Sequence, residues 1–279
     1  MDKTTVEQKS SIRADRLGSP FFGLPVFVYI FIAIERTDTK MNVYSKANLN
    51  ELLENNTYPG RGIVVGKTED GSAAAVAYFI MGRSDNSRNR VFKQEGEDVT
   101  IYPFDESKVE DPSLIIYSPI RVLDNHLIVT NGDQTDTVYD FVSDGASFSD
   151  ALRTREFEPD APNFTPRISA MLTFDEGDFC YDMSILKSAD ECGSACNRFT
   201  FEYKAISGTG HFIHTYNCDG NPIPTFTGEP ERVCVPNDID EFANGIWNSL
   251  NSQNKISLYV RFVDLKTGDV TNRMFNKNN

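Results

Sequence analysis

Residues Ala73 to Met81 read Ala-Ala-Ala-Val-Ala-Tyr-Phe-Ile-Met, an apolar run without a charge. A strand with one face in water alternates apolar and polar side chains. This run does not alternate, so both of its faces must be covered. It reads as the returning arm of a hairpin. Gly62 to Gly66 is a β-branched strand, and Thr68-Glu69-Asp70-Gly71-Ser72 is the loop between the two. A doubly covered strand needs further structure on either side, and 279 residues can bury a core of that size.

Directly after this strand the chain turns basic. Gly82-Arg83-Ser84-Asp85-Asn86-Ser87-Arg88-Asn89-Arg90 places three arginines within eight residues of a protein whose net charge is −14. An arginine fork matches a phosphate or carboxylate through two parallel hydrogen bonds, and serine and asparagine add short donors beside it. Binding sites commonly sit at such strand mouths. The acidic field argues against nucleic acid or an anionic membrane as a partner. An anionic small molecule would need a local basic cluster, which this run supplies. The bland alternative is a solvated polar turn. The run has no interleaved aromatics, which speaks against single-stranded RNA.

Hydrophobic residues at 39% and charged residues at 24% are ordinary for a globular domain. Five cysteines, Cys180, Cys192, Cys196, Cys218 and Cys234, are odd in number and widely spaced. They read as free thiols in a reducing cytosol rather than as a disulfide framework. Cys192 and Cys196 with His211 and His214 suggest a zinc half-site, but paired CxxC knuckles are missing, and no metal is expected. Phe21 to Ile34 is apolar, yet its 14 residues fall short of the roughly 20 that a bilayer span needs. Basic residues precede it as in a signal peptide, without a small-residue cleavage site after it. Residues 1–40 therefore read as a peripheral extension and residues 41–279 as a single domain.

Along the rest of the chain, Ser45 is placed to cap a short helix bearing Leu49, Leu52 and Leu53, which ends at Tyr58-Pro59-Gly60. Val99 to Tyr102, Leu114 to Tyr117, Arg121 to Leu123 and Leu127 to Thr130 read as short strands, with Asp124-Asn125 turning between the last two. Asp133 to Thr137 is polar and turn-rich. Ser147 to Glu156 suits a helix. Three prolines between Glu158 and Arg167 forbid regular structure and give a stiff loop. Ile168 to Phe174, Phe179 to Leu186, Phe199 to Ile206 and Phe212 to Tyr216 read as strands. Asp238 to Leu250 is an amphipathic helix, and Ile256 to Val263 with Val270 to Phe275 is a closing hairpin. The sum is a strand-rich α+β domain with few helices.

Polar clusters sit at these strand ends and in the stiff loop, but no GxGxxG, Walker, HExxH or GxSxG motif is present. Singly, the residues have ordinary structural readings: Tyr117 as packing, Glu158 as a solvated loop carboxylate, Asp136 as a turn residue, Arg167 as a partner for Asp160. Together and in order they say more. Pro59-Gly60-Arg61-Gly62, Gly82-Arg83-Ser84 through Asn89-Arg90, Ile115-Ile116-Tyr117, Asn131-Gly132 with Thr135-Asp136-Thr137, and Asn163 with Thr165-Pro166-Arg167-Ile168 resemble the archaeal-type IMP cyclohydrolase family. The resemblance covers residues 58–168 and fades beyond Arg167. The added length resembles a bacterial-type, extended member, while the insertion Asp85-Asn86-Ser87-Arg88 departs from the family's pattern. The family's first strand begins close to its initiator methionine, which favours Met41 as the start of the native chain.

The resemblance implies a four-layer αββα core like that of the N-terminal-nucleophile hydrolases, without the nucleophile. It implies a cytoplasmic enzyme that closes the ring of 5-formamidoimidazole-4-carboxamide ribonucleotide to IMP with loss of water. That reaction needs no metal or redox cofactor, and both reacting groups already lie on one ring. The implied partner is a small phosphorylated purine-pathway ribonucleotide, and a homo-oligomer is compatible with it. By residue-for-residue carry-over, Arg90 orients the formyl oxygen or stabilises charge on it. Tyr117 gives or takes a proton, with its pKa lowered by a neighbouring arginine. Glu158 holds the carboxamide NH or takes its proton. Arg61, Arg83, Arg88 and Arg167 become candidates for the substrate phosphate. Asn131, Thr135 and Asp136 become candidates for the ribose or base edge, with Asn86 and Asn163 completing the substrate-binding set. The acid and base order stays open, as does an alternative: a non-catalytic purine-nucleotide-binding protein or another nucleotide-directed amidohydrolase on the same scaffold.

Overall fold

The computed structural model describes residues 44–109 and 116–278. The extension predicted over 1–40 and the first two residues of the strand predicted over 114–117 lie outside the described residues. The helices are α1 (Leu49–Asn55), α2 (Asp85–Arg88), α3 (Gln134–Ser143), α4 (Phe148–Arg153) and α5 (Ile239–Ser249). The strands are β1 (Arg61–Lys67), β2 (Ala73–Met81), β3 (Val91–Glu95), β4 (Asp98–Tyr102), β5 (Ile120–Leu123), β6 (His126–Thr130), β7 (Arg167–Asp175), β8 (Asp178–Ser188), β9 (Cys196–Lys204), β10 (Thr209–His214), β11 (Glu231–Cys234), β12 (Lys255–Asp264) and β13 (Val270–Asn276).

Among the described residues these strands form two antiparallel sheets, one of six strands in the order β11-β10-β1-β2-β12-β13 and one of seven in the order β3 through β9. The predicted hairpin is β1 and β2, in register from Arg61 opposite Ile80 to Lys67 opposite Ala74. All nine residues of β2 are buried, and the period of two explains how. Ala74, Val76, Tyr78 and Ile80 enter a core shared with Val99, Ile101, Leu127, Val129, Ile168 and Ala170 of the facing sheet. Ala75, Ala77, Phe79 and Met81 point the other way, against Leu49 and Leu53 of α1 and Phe242 and Ile246 of α5. On the far side of the second sheet, Ile128 and Met171 pack under Val138, Phe148 and Leu152 from α3 and α4. Helices thus cover the outward face of each sheet. Each fully buried Val, Ile or Phe contributes about 1.5–3 kcal/mol.

Helix ends follow capping chemistry. Asp238 accepts from the Glu241 N–H at 2.8 Å and starts α5. Ser147 accepts from the Asp150 N–H at 3.1 Å and starts α4, which is shorter than the predicted 147–156. The cap of α1 is Asn48 rather than Ser45, because the helix begins one turn later. The larger correction is residues 133–137, which are the start of α3 and not a turn. Its polar first turn faces inward: Gln134 and Thr135 are buried and hydrogen-bonded to strand ends, which polarity alone does not reveal. Two short strands, β3 and β11, also escape the sequence pattern, since each buries at most two side chains. Among the described residues no helix is long and apolar enough to cross a membrane.

His211 on β10 is buried between two tyrosines. Its ring stacks on Tyr203 with centroids 3.7 Å apart, and its Nδ1 lies 2.6 Å from the Tyr181 hydroxyl. Burial, with the positive charge of Arg232, pulls its pKa down to about 4. An unfolded histidine takes its proton near pH 6.5, so the unfolded state binds more protons between those values. This contribution is whole above pH 6.5 and is lost as pH falls towards 4. Denaturant unfolding from pH 7 to 4 should show wild type losing up to about 3 kcal/mol more than His211→Gln.

Candidate active site

Five chain segments meet at one end of the two sheets. Arg61 opens β1, Arg90 precedes β3, Tyr117 precedes β5, Glu158 sits in the proline-rich loop before β7, and Asn131 follows β6. Gly60 delivers the first of them. Its φ is +79°, and a Cβ there would lie 2.2 Å from Thr215 Oγ1 and 2.5 Å from the Tyr216 ring. Glycine alone allows the chain to pass this close and adopt this turn. The Arg61 N–H then donates to Thr215 Oγ1 at 3.1 Å, which in turn donates to the Pro59 carbonyl at 3.1 Å.

The charges of these side chains act on one another. Burial works against the charge of Arg61, but the negative charge of Glu158, with smaller contributions from the hydroxyls of Tyr58, Tyr216 and Tyr117, raises its pKa. Burial and the like charge of Arg61 lower the pKa of Arg90. Burial raises Glu158 above its ordinary 4.5 against the pull of Arg61, Arg167 and Arg90. Burial also raises Tyr117 above 10, although Arg90 and Arg61 pull it down. The predicted lowering of the Tyr117 pKa is therefore corrected: the arginines act in the expected sense, and desolvation is stronger. Tyr117 stays protonated and donates to the Asn131 carbonyl at 2.8 Å. The Tyr78 hydroxyl lies 3.4 Å from it.

Two guanidinium groups and one carboxylate leave a positive surplus in an acidic protein. The Nε atoms of Arg61 and Arg90 are both buried and without a hydrogen-bond partner. Buried donors in native proteins are almost always satisfied. Two orphaned donors of like charge beside a carboxylate with a raised pKa mark a site arranged for an electron-rich ligand.

A family model described as IMP cyclohydrolase-like protein matches residues 58–268. The chain belongs to the IMP cyclohydrolase family. A protein named IMP cyclohydrolase from Methanococcus maripaludis is 33% identical over 165 residues, 56% of this chain and 79% of that one. One from Methanocaldococcus jannaschii is 29% identical over 215 residues, 74% and 94% of the two chains. One from Methanopyrus kandleri is 36% identical over 116 residues, 40% and 57%. The family match continues to residue 268, which corrects the expectation that it fades beyond Arg167.

The residues named as substrate-binding candidates differ in what they touch. Asn131 is a bracket. Its Nδ2 donates to the Pro166 carbonyl at 2.9 Å, and its Oδ1 accepts from the Ile168 N–H at 2.9 Å and from Gln134 at 3.0 Å. Thr135 is buried and bonded to Thr130 at 2.7 Å and to the Gly132 carbonyl at 3.0 Å. Asp136 is exposed and paired with Arg121 at 2.8 Å. Arg167 pairs with Asp133 at 2.7 Å and Gln134 at 2.6 Å, rather than with Asp160. Asp160 instead accepts from the Thr165 N–H at 2.6 Å. The Asn163 Oδ1 accepts from the Ile223 N–H at 3.2 Å.

The basic run divides. Arg90 turns inward to Arg61. Arg88 donates to the Gly82 carbonyl at 3.2 Å and to Asn254 at 3.3 Å, apart from the inner cluster. Asn86 is exposed in the single turn of α2. Arg83 lies at the rim, 5.1 Å from the centre of the Tyr58 ring, paired with Asp219 and donating to the Gly220 carbonyl at 2.8 Å. Residues not singled out from sequence complete the wall. Tyr216 stacks on Tyr58 with centroids 5.8 Å apart and bonds to Thr165 at 2.7 Å, and Tyr78 is fully buried beneath Tyr117. The signal for Tyr78 was its hydroxyl, the one polar atom among the side chains of β2. His211 and His214 lie on β10, and His214 donates to the Tyr216 carbonyl at 2.9 Å.

Replacing Asn131 with alanine should remove three bonds and leave the Ile168 N–H and Pro166 carbonyl unpaired. Denaturant unfolding should show a loss of about 2–4 kcal/mol, more than a surface substitution such as Asn86→Ala.

Proposed function

We infer that this chain is an IMP cyclohydrolase, closing the ring of 5-formamidoimidazole-4-carboxamide ribonucleotide in purine biosynthesis. The observation that carries the reading is the pair Arg61 and Arg90, whose Nε atoms are buried and unpartnered beside Glu158, in a chain that matches the family over 58–268. We also read the order helix, sheet, sheet, helix as the αββα arrangement of the N-terminal-nucleophile hydrolases. The three separate cores support it.

Ring closure joins the carboxamide nitrogen to the formyl carbon. A proton must leave the nitrogen, negative charge must be held on the formyl oxygen, and a hydroxyl must depart as water. Glu158 is the proton acceptor in this reading. Its raised pKa makes it a stronger base than a solvated carboxylate, and Arg61 and Arg90 still favour its ionised form. Arg90 and Arg61 supply fixed positive donors for the formyl oxygen, in a site where the field is screened little by water. Arg61 thereby moves from the phosphate set, where sequence comparison put it, to the reacting centre. Tyr117, held neutral, donates its proton towards the departing hydroxyl, exchanging the Asn131 carbonyl for the substrate oxygen. Phosphate falls to the two remaining arginines, Arg83 at the rim and Arg167 beside Glu158.

The direct test is conversion of the verified formamido ribonucleotide to IMP, followed by ultraviolet absorbance. Failure of a well-folded wild-type sample to turn over defeats the reading. Arg90→Ala and Arg61→Ala should each lower kcat by about 10²–10³. Glu158→Gln should lower kcat by about 10²–10⁴ while retaining much of the nucleotide binding. In wild type, activity should decline with acid through a limb above pH 4.5, the ordinary value for Glu158, and that limb should vanish in Glu158→Gln.

A further inference from the structure

The far edge of the seven-stranded sheet carries a self-complementary sequence. Strand β9 pairs with β8 on one side, and among the described residues no strand takes its other edge. It is nine residues long, Cys-Asn-Arg-Phe-Thr-Phe-Glu-Tyr-Lys, and most of it is exposed. Natural edges are usually kept short, bulged or interrupted by proline. This one pairs with β8 without a register shift from Cys196 to Lys204 and contains no proline. Phe199 is 43% exposed on it.

Thr200 is the centre of the strand, and the residues on either side mirror one another in chemistry. An antiparallel copy centred on Thr200 sets Arg198 opposite Glu202 and Phe199 opposite Phe201, each twice. We propose that β9 pairs with β9 of a second copy about a two-fold axis through Thr200, joining two sheets into one.

The two faces agree with this. Phe199 and Phe201 stand beside Ile185 and Met183 of β8, and Phe201 already packs on the core between the sheets. A second copy would extend that core over Phe199. On the opposite face Glu202 stands directly across from Asp182, two carboxylates side by side. Burial and the charge of Glu202 push the Asp182 pKa up to about 6. Arg198 of the second copy would bring a cation to this pair. Among the described residues the acidic contact of Arg198 is Glu156 at 3.5 Å, made by the same Nη2 that donates to the Arg155 carbonyl, and its Nη1 donates to the Cys196 carbonyl. Cross-strand charge pairs stabilise a sheet modestly, while like charges directly opposite destabilise it, so a swap of sign is a sensitive probe.

Sedimentation of the full chain at roughly tens of micromolar tests the pairing. Wild type should have twice the mass of one chain. Arg198→Glu and Glu202→Arg each place like charges opposite one another at two points, and each should weaken self-association about tenfold or more. Mixing the two variants in equal amounts should restore the dimer. In the mixed pair the introduced glutamate faces the introduced arginine at one point, and the native Glu202 faces the native Arg198 at the other. The double variant R198E/E202R should dimerise alone, because opposite charges again meet at both points. Circular dichroism keeps a misfolded sample from counting as a monomer. The proposal is overturned if wild type sediments as a single chain, if both single variants associate as wild type does, or if neither the mixture nor the double variant recovers association.

Discussion

Arg61 and Arg90 are pressed together at the mouth of two packed sheets, and the structure around them is what makes that tolerable. Arg61 lowers the tendency of Arg90 to hold a proton, and burial works against the charge of both. A carboxylate and a ring of tyrosine hydroxyls offset it. Holding two like charges close costs free energy unless the groups bearing them are fixed from behind. Gly60 forces the entry to β1, Thr215 ties its first peptide, and Asn131 clamps the ends of β6 and β7 so that its carbonyl can receive Tyr117. The scaffold in this view is a device for keeping an electrostatically unfavourable arrangement in place until a ligand supplies the missing negative charge.

The second half of the chain takes part in this. β12 flanks β2 on one side as β1 does on the other, and the strands from β10 onward complete the six-stranded sheet. Thr215 and Tyr216 stand against Gly60, and Asp219 meets Arg83 at the rim. The inner wall therefore comes from both halves, consistent with a family match that reaches residue 268.

What could be seen in the sequence follows from how local each signal is. β2 was legible to the residue, because nine apolar side chains in a row have few alternatives. The hairpin, the capped helix at 238–250 and the closing hairpin were legible for similar reasons of periodicity and capping. The start of α3 was not. Gln134 and Thr135 are polar residues buried by long-range hydrogen bonds, and nothing within their own segment announces it. The same limit applies to the site. Arg90, Tyr117 and Glu158 could be named by resemblance, but the meeting of Arg61 with Arg90 is a fact of tertiary structure. So is the outcome for Tyr117, where an arginine neighbour predicts a lower pKa and depth of burial decides the opposite.

The two faces of β2 are unequal in kind as well as direction. One bears Tyr78 beneath Tyr117, and the other bears Phe79 against the helices. A gain or loss of one residue within β2 ahead of Tyr78 would exchange them, sending the hydroxyl into a greasy layer and a phenyl ring towards the arginines. Change in chain length is therefore confined by geometry to segments that hand nothing on to the next strand. The turn from Arg83 to Arg88, outside both cores, is such a place, and there a lineage can add residues without retuning the chemistry beside it.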